Sequence, residues 1–294
     1  MKKLYLVLLP IVIFFSGCIG EDMITIDDDG SETTSATIPS DSSSDENTSS
    51  DDSSSEGSSS DDSSSDDSSS DDTSVDDSSS DDNIANSTFS KTITITFASS
   101  GATVTGDDDG IVTVSGNQVT VNYGGSEAIE YKLTGSASNG FFKLYSTHKQ
   151  AIRLSGLSLT NPNGAAINNQ SGKRTFVVVE GTNSLSDGSS ASYSTDGDEG
   201  MKAVLFSEGQ LIFSGSGSLS VTANNRQEKS AIVSDDYVRV LASPSIQATA
   251  GSSAGHGIRG KDYVQLSDGK LTVSTAARKK KGIGSDDYVL VEGG

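Results

Sequence analysis

Ala231-Ile232-Val233-Ser234-Asp235-Asp236-Tyr237-Val238-Arg239-Val240, Gly257-Ile258-Arg259-Gly260-Lys261-Asp262-Tyr263-Val264-Gln265-Leu266 and Gly282-Ile283-Gly284-Ser285-Asp286-Asp287-Tyr288-Val289-Leu290-Val291 are three writings of one phrase. Its tyrosines recur after 26 and then 25 residues. A second phrase, written as Leu219-Ser220-Val221, Ile246-Gln247-Ala248 and Leu271-Thr272-Val273, recurs after 27 and then 25 residues. Two phrases on one period define a repeat, and a period of this size means one supersecondary unit stacked on its neighbours. Each phrase is a short alternating run of Val, Ile and Leu bounded by Gly, Ser, Asn and Asp, which reads as strand and turn. At about 3.3 Å per residue, a coil of that length holds two or three short strands with corners between them. The prediction is an all-β fold, a parallel β-helix, right-handed by the general preference of parallel crossovers.

Outward from the repeat, the strands thin but persist. Ile93-Thr94-Ile95-Thr96-Phe97 alternates strictly, and Ala102-Thr103-Val104, Ile111-Val112-Thr113-Val114 and Val119-Thr120-Val121 follow with turn signals between them. They read as an irregular N-terminal β cap over the first open edge. Residues 189–200 are polar and interrupt the winding, as an insertion at a solenoid corner does. The chain ends directly after the third phrase, so further coils are expected beyond Gly294 or another surface covers that edge.

The first 18 residues have the shape of an export signal: Lys2 and Lys3, an apolar run from Leu4 to Phe15, then Ser16-Gly17-Cys18. The ending resembles the bacterial lipobox, with phenylalanine where leucine is usual, which implies a lipid on Cys18 and a membrane anchor; the alternative is an ordinary cleaved signal. Cys18 is the only cysteine, so no disulfide supports the fold. Residues 19–86 hold 22 of the 41 acids and no Lys or Arg, largely as repeated Ser-Ser-Ser-Asp-Asp. Such a stretch has little to bury and repels itself, so it reads as a disordered tether. The rest, residues 87–294, is nearly neutral, with 19 acids against 18 bases. The overall charge of −21 is therefore a property of the tether and disfavours nucleic acid as a partner.

Three passages together carry a resemblance: Gly181-Thr182-Asn183-Ser184-Leu185-Ser186-Asp187-Gly188, the run from Phe206 to Leu219, and the Gly-Ile-x-x-x-Asp-Tyr phrases. From Lys91 to Gly294 the chain resembles the bacterial carbohydrate-binding β-helix lipoproteins, whose fold is pectate-lyase-like. The resemblance implies binding of cellulose or acidic polysaccharide, calcium, and placement at the cell surface. One departure bears on the metal. Where members usually carry Asp before the Gly-Ile pair, this chain has Ser230, His256 and Lys281.

Stacking converts repeats into columns, with equivalent residues about 4.8 Å apart. If Val238 and Val240 face the core, Tyr237 and Arg239 face out, and Tyr237, Tyr263 and Tyr288 form an outward column that meets successive sugar rings. The alternative is that the tyrosines stack on one another to seal a corner. Asp236, Asp262 and Asp287 form a second column whose mutual repulsion is offset either by calcium, with Asp235 and Asp286 as further ligands, or by backbone N–H groups at the turn. A basic strip runs beside them: Arg226 and Lys229, then His256, Arg259 and Lys261, then Arg278, Lys279, Lys280 and Lys281. Stacked cations suit a polymer with regularly spaced carboxylates. The alternatives are a solvated corner or a seat for the acidic tether.

The expectation is a binding protein without enzymatic activity, acting as a monomer, because the phrase recurs in every coil whereas an active site is normally single. His148 and His256 lack the partners of a triad or zinc site, and no catalytic motif is present. A pectate-type lyase is the alternative, since the same fold hosts lyases, and a structural stalk or adhesin is the third reading.

Overall fold

The computed structural model describes residues 80–294 apart from 196 and 198. The export signal, Cys18 and almost all of the tether lie outside the described residues.

The described chain is strand and turn, with a three-residue 3-10 turn at Ile84–Asn86 as its helical element. One coil comprises Ser230–Ser234, Val238–Val240 and Ser245–Ala250, and the next comprises Ile258–Gly260, Tyr263–Leu266 and Lys270–Thr275. Each strand pairs in parallel with its counterpart one coil away. A final turn, Ile283–Gly284 and Tyr288–Val291, adds to two of the three ladders. The three repeated phrases therefore lie in register, as their period requires.

Two of the three ladders belong to one curled sheet because the strand Gln150–Asn161 serves both. Its first half pairs with Thr175–Glu180 and its second with Thr182–Asp187. The bend between the halves is at Gly156, which has φ +67°. Glycine takes that conformation without a steric penalty. At the equivalent corner of another coil, Gly215 has φ +103°, and a Cβ there would stand 2.3 Å from the Val179 carbonyl oxygen. The third ladder is a separate sheet running from Val112–Ser115 to Ile283–Gly284.

The core is a set of side-chain columns between the sheets. Ile93, Tyr131, Ile152, Val177, Phe213, Val240, Leu266 and Val291 succeed one another rung by rung. All but the last two are buried. No single coil encloses such a column, so each depends on its neighbours for burial.

Two expectations are corrected at the N-terminal end. Parallel stacking begins at Lys91–Phe97, which already pairs with Ile129–Ala137. The antiparallel cap is reduced to Thr103–Thr105 and Val112–Ser115. The folded module also begins before residue 87. Residues 82–89 lie across the outer face of the coils, where Phe89 meets the Phe176 ring edge-on at 6.2 Å and Ile84 packs beside it. The physical reason is an outward column that is apolar. Ala151, Phe176 and Ile212 share it and are fully buried, so the segment before Lys91 removes that surface from water.

Candidate functional site

The three repeated tyrosines form one column, with the rings stacked in parallel. Tyr237 and Tyr263 lie 4.7 Å apart at 8°, and Tyr263 and Tyr288 lie 4.9 Å apart at 3°. The alternation holds, since Tyr237 and Tyr263 sit in the outer cluster with Phe176. Their exposure does not. Tyr237 and Tyr263 are each 6% exposed, and the stacked faces are turned to one another. The expected sugar platform is therefore corrected to a sealed stack, with Tyr288 half exposed at its end.

Arg239, expected to face solvent, is 6% exposed for the same reason. Asp82 from the overlying segment, 2% exposed, accepts from Arg239 Nη1 at 2.6 Å, Arg174 Nε at 2.8 Å and the Tyr237 hydroxyl at 2.7 Å. Burial, reinforced by the Asp82 carboxylate, pushes the Tyr237 hydroxyl far above the ordinary tyrosine range.

The aspartates do not make a calcium site. Lys202 holds Asp235 in an ion pair, and Arg259 holds Asp286 at 2.6 Å. Asp236 accepts from the Tyr237 amide at 2.8 Å and from Gln210 at 2.5 Å. Burial, with Asp262 adding repulsion, holds its carboxyl above the usual range. Asp262 and Asp287 donate their backbone amides to the carbonyl of the aspartate one coil back. Among the described residues no three ligating side chains converge, whereas calcium needs six to eight oxygens. The turn is held together by its own backbone and by cations.

The basic strip, by contrast, lines a cleft of about 590 Å³ on the third ladder. Lys202 and Lys229 stand one residue before Ala203 and Ser230, which pair in register. His256 and Lys281 stand two residues before Ile258 and Ile283, which also pair. Successive coils thus deliver their cations to one edge. Arg259 faces out from the middle of its strand, level with Val233 and Gly284, which form the floor. Five Lys and Arg line the cleft against Glu228 and Asp286. Lys280 is paired with Glu228, and Lys202 also lies 5.7 Å from the Phe206 ring. Lys229 and Lys281 form no ion pair among the described residues. His256 accepts the Lys281 amide at Nδ1 over 2.9 Å, which leaves its proton on Nε2. Burial, with Lys280, Arg259 and Lys281 beside it, holds His256 below its ordinary pKa, so it is neutral at pH 7.

Of the residues the sequence singled out, Lys229, His256, Arg259, Lys280 and Lys281 are brought together here. Arg226, Lys261, Arg278 and Lys279 are outside the lining. Lys202 was missed. Its signal is its place just ahead of Met201-to-Ser207, where the winding resumes, but only the register shows that this is the cleft edge.

The fold and the cleft define a class: a module of stacked parallel strands that offers one cationic edge to a long ligand. Residues 115–294 match the profile of the carbohydrate-binding domain-containing protein family, and the chain belongs to that family. Among solved structures it is similar to the polysaccharide lyase-like protein from C. thermocellum, in a gadolinium derivative. That likeness has 15% identity and a TM-score of 0.46, and covers 68% of this chain and 96% of the other. No curated protein matches the chain. Family membership supports polysaccharide as the ligand class.

Proposed function

We propose that this protein binds acidic polysaccharide without cleaving it, and that the cleft edged by Lys202, Lys229, Arg259, Lys280 and Lys281 is where it does so. The observation that carries the reading is the gathering of five cations around one groove on an otherwise nearly neutral module. Carboxylates spaced along a glycan meet ammonium and guanidinium groups through charge-assisted hydrogen bonds. Val233 and the Phe206 ring beneath Lys202 give the floor an apolar part for the C–H face of a sugar. In this reading the winding is a right-handed parallel β-helix, and the protein acts as a monomer because the cleft draws on one chain alone.

Affinity electrophoresis is the direct test. Mobility is expected to fall in gels containing polygalacturonate, and to change little in gels containing cellulose derivatives or neutral gums. Retardation by no glycan would sink the reading in favour of a stalk. Incubation with polygalacturonate should give no unsaturated product absorbing in the near ultraviolet; accumulation of such product would make the protein a lyase. Affinity is expected to stay flat between about pH 6.5 and 8, because His256 is already neutral there while Lys and Arg keep their charge. It should weaken below about pH 4, as the carboxylates of the ligand protonate. A step near pH 7 would mean that His256 titrates in contact with the ligand.

The reading further places the module at the cell surface as a lipoprotein, held through lipid on Cys18, with the Ser/Asp-rich tether as spacer. It is supported by the Lys2-to-Cys18 pattern. Cys18→Ser should move the protein from the membrane fraction to the soluble exported fraction. Unchanged membrane retention would contradict the anchor.

A further inference from the structure

We infer that a second pocket on the same ladder binds one neutral sugar ring, so that the protein reads a polymer containing both acidic and uncharged residues. The inference rests on the acidic-polysaccharide reading of the cleft. It adds a site that the cleft does not contain.

The pocket has a volume of about 230 Å³ and is lined by Gln118, Phe141, Lys143, Asn168 and Met201, among others. That is below the roughly 300 Å³ at which sites for drug-sized molecules begin, which suits a single ring. It faces the same way as the cleft. Lys143 pairs with Asn168, Asn168 with Phe206, Phe206 with Val233, and Val233 with Arg259. These are successive rungs of one outward column. Asn168 and Arg259 are three rungs apart, about 14 Å at the spacing of paired strands, so one extended chain reaches both.

Its chemistry differs from that of the cleft. Lys143 is 2.5 Å from Glu199, which also accepts the Tyr145 hydroxyl, so the local cation is spent. A carboxylate gains nothing here. Asn168 is 3% exposed, and its Oδ1 accepts from Gln170 Nε2 at 2.6 Å. That bond fixes the amide orientation and leaves Nδ2 as the free group. Nδ2 has no partner among the described residues, an exception among buried polar atoms that asks for an acceptor from outside. Neighbouring Asn161 is satisfied, since it donates to the Ala165 carbonyl and accepts the Asn163 amide. Phe141 is half buried and stands on the outward side of its strand, between core residues of the opposite parity. An aromatic face beside a lone amide donor matches a pyranose, which has an apolar C–H face and a rim of hydroxyl oxygens.

The test is a titration of the ¹⁵N-labelled module with glucose, galactose, xylose and arabinose, and separately with polygalacturonate oligomers. At least one neutral sugar is expected to shift the Asn168 side-chain amide in a saturable way. Phe141→Ala and Asn168→Ala should each weaken that sugar about tenfold or more, and leave the oligomer affinity within about twofold. Arg259→Glu should do the reverse. Where Asn168→Ala disturbs folding, the half-exposed Phe141→Ala gives the same reading. The inference is overturned if no neutral sugar shifts Asn168, or if the shifts survive both pocket variants. Neutral sugar held at Asn168 with no oligomer bound would sink the acidic reading of the cleft and leave the pocket standing.

Discussion

Asp82→Ala should cost about 3–5 kcal/mol of stability, the usual penalty for removing one partner of a buried ion pair. The carboxylate is almost fully covered, and Arg239 beneath it is nearly as well covered. Without Asp82 the guanidinium remains in a dry site, and the Tyr237 hydroxyl and Arg174 lose their shared acceptor. For a module of this length the loss corresponds to roughly 6–20 °C in melting temperature, measurable by circular dichroism. Two controls give the number meaning. Asp109→Ala removes a pair in which the acid is 63% exposed, and should change stability by less than about 1 kcal/mol. Asp82→Ala combined with Arg239→Met removes both charges and should recover part of the loss. An effect of Asp82→Ala no larger than the Asp109 control would mean that the segment over Phe176 and Ile212 is not held by this contact.

Arg259→Glu combined with Lys281→Glu should weaken polygalacturonate binding by about a hundredfold or more, with the melting temperature little changed. Both side chains reach solvent at the cleft, and neither belongs to the core. Two unit charges 4 Å apart interact by about 1 kcal/mol in water and about 4 kcal/mol near a protein surface. Reversing two charges turns two attractions into two repulsions, so about 3 kcal/mol is a restrained expectation even after screening. Arg259→Glu also sets a second carboxylate against Asp286, its present partner. The same measurement in about 1 M salt should show the parent protein weakened as well, because the screening length there falls to about 3 Å. Retardation unchanged by the double reversal would move the ligand away from this edge.

The repeat was legible because it is written in residues that the fold uses identically each time. Tyr237, Tyr263 and Tyr288 keep one period because each coil returns the chain to the same height, and that return is what register means. The cover over the tyrosines was not legible as a contact. Phe176-Val177-Val178-Val179 is apolar at every position, which marks a strand buried on both faces. The alternation argument treated its outer face as open. What closes it is Asp82, Ile84 and Phe89, in or beside a stretch whose composition argues for disorder, and Asp82 is 157 residues from Arg239. No local pattern links positions so far apart.

The cleft was half visible. Lys229, His256, Arg259, Lys280 and Lys281 stand out as bases near the repeated phrase, but Lys261 and Lys279 stand out equally and lie elsewhere. One or two residues along a corner decide the direction of a side chain. The pairing of Ile258 with Ile283 fixes that direction, whereas composition does not. The second pocket had no signal at all, since Phe141 and Asn168 meet only because the strands Phe141–Ser146 and Ile167–Asn169 pair.

Register between coils has a consequence for how such a protein can change. Inserting or removing one or two residues within a coil would rotate every later side chain out of its column and dismantle both the core and the cationic edge. Duplicating a whole coil would leave all columns intact and lengthen the glycan track by about 4.8 Å. The length of polymer that the module can measure is therefore quantised, and it grows by complete turns of chain.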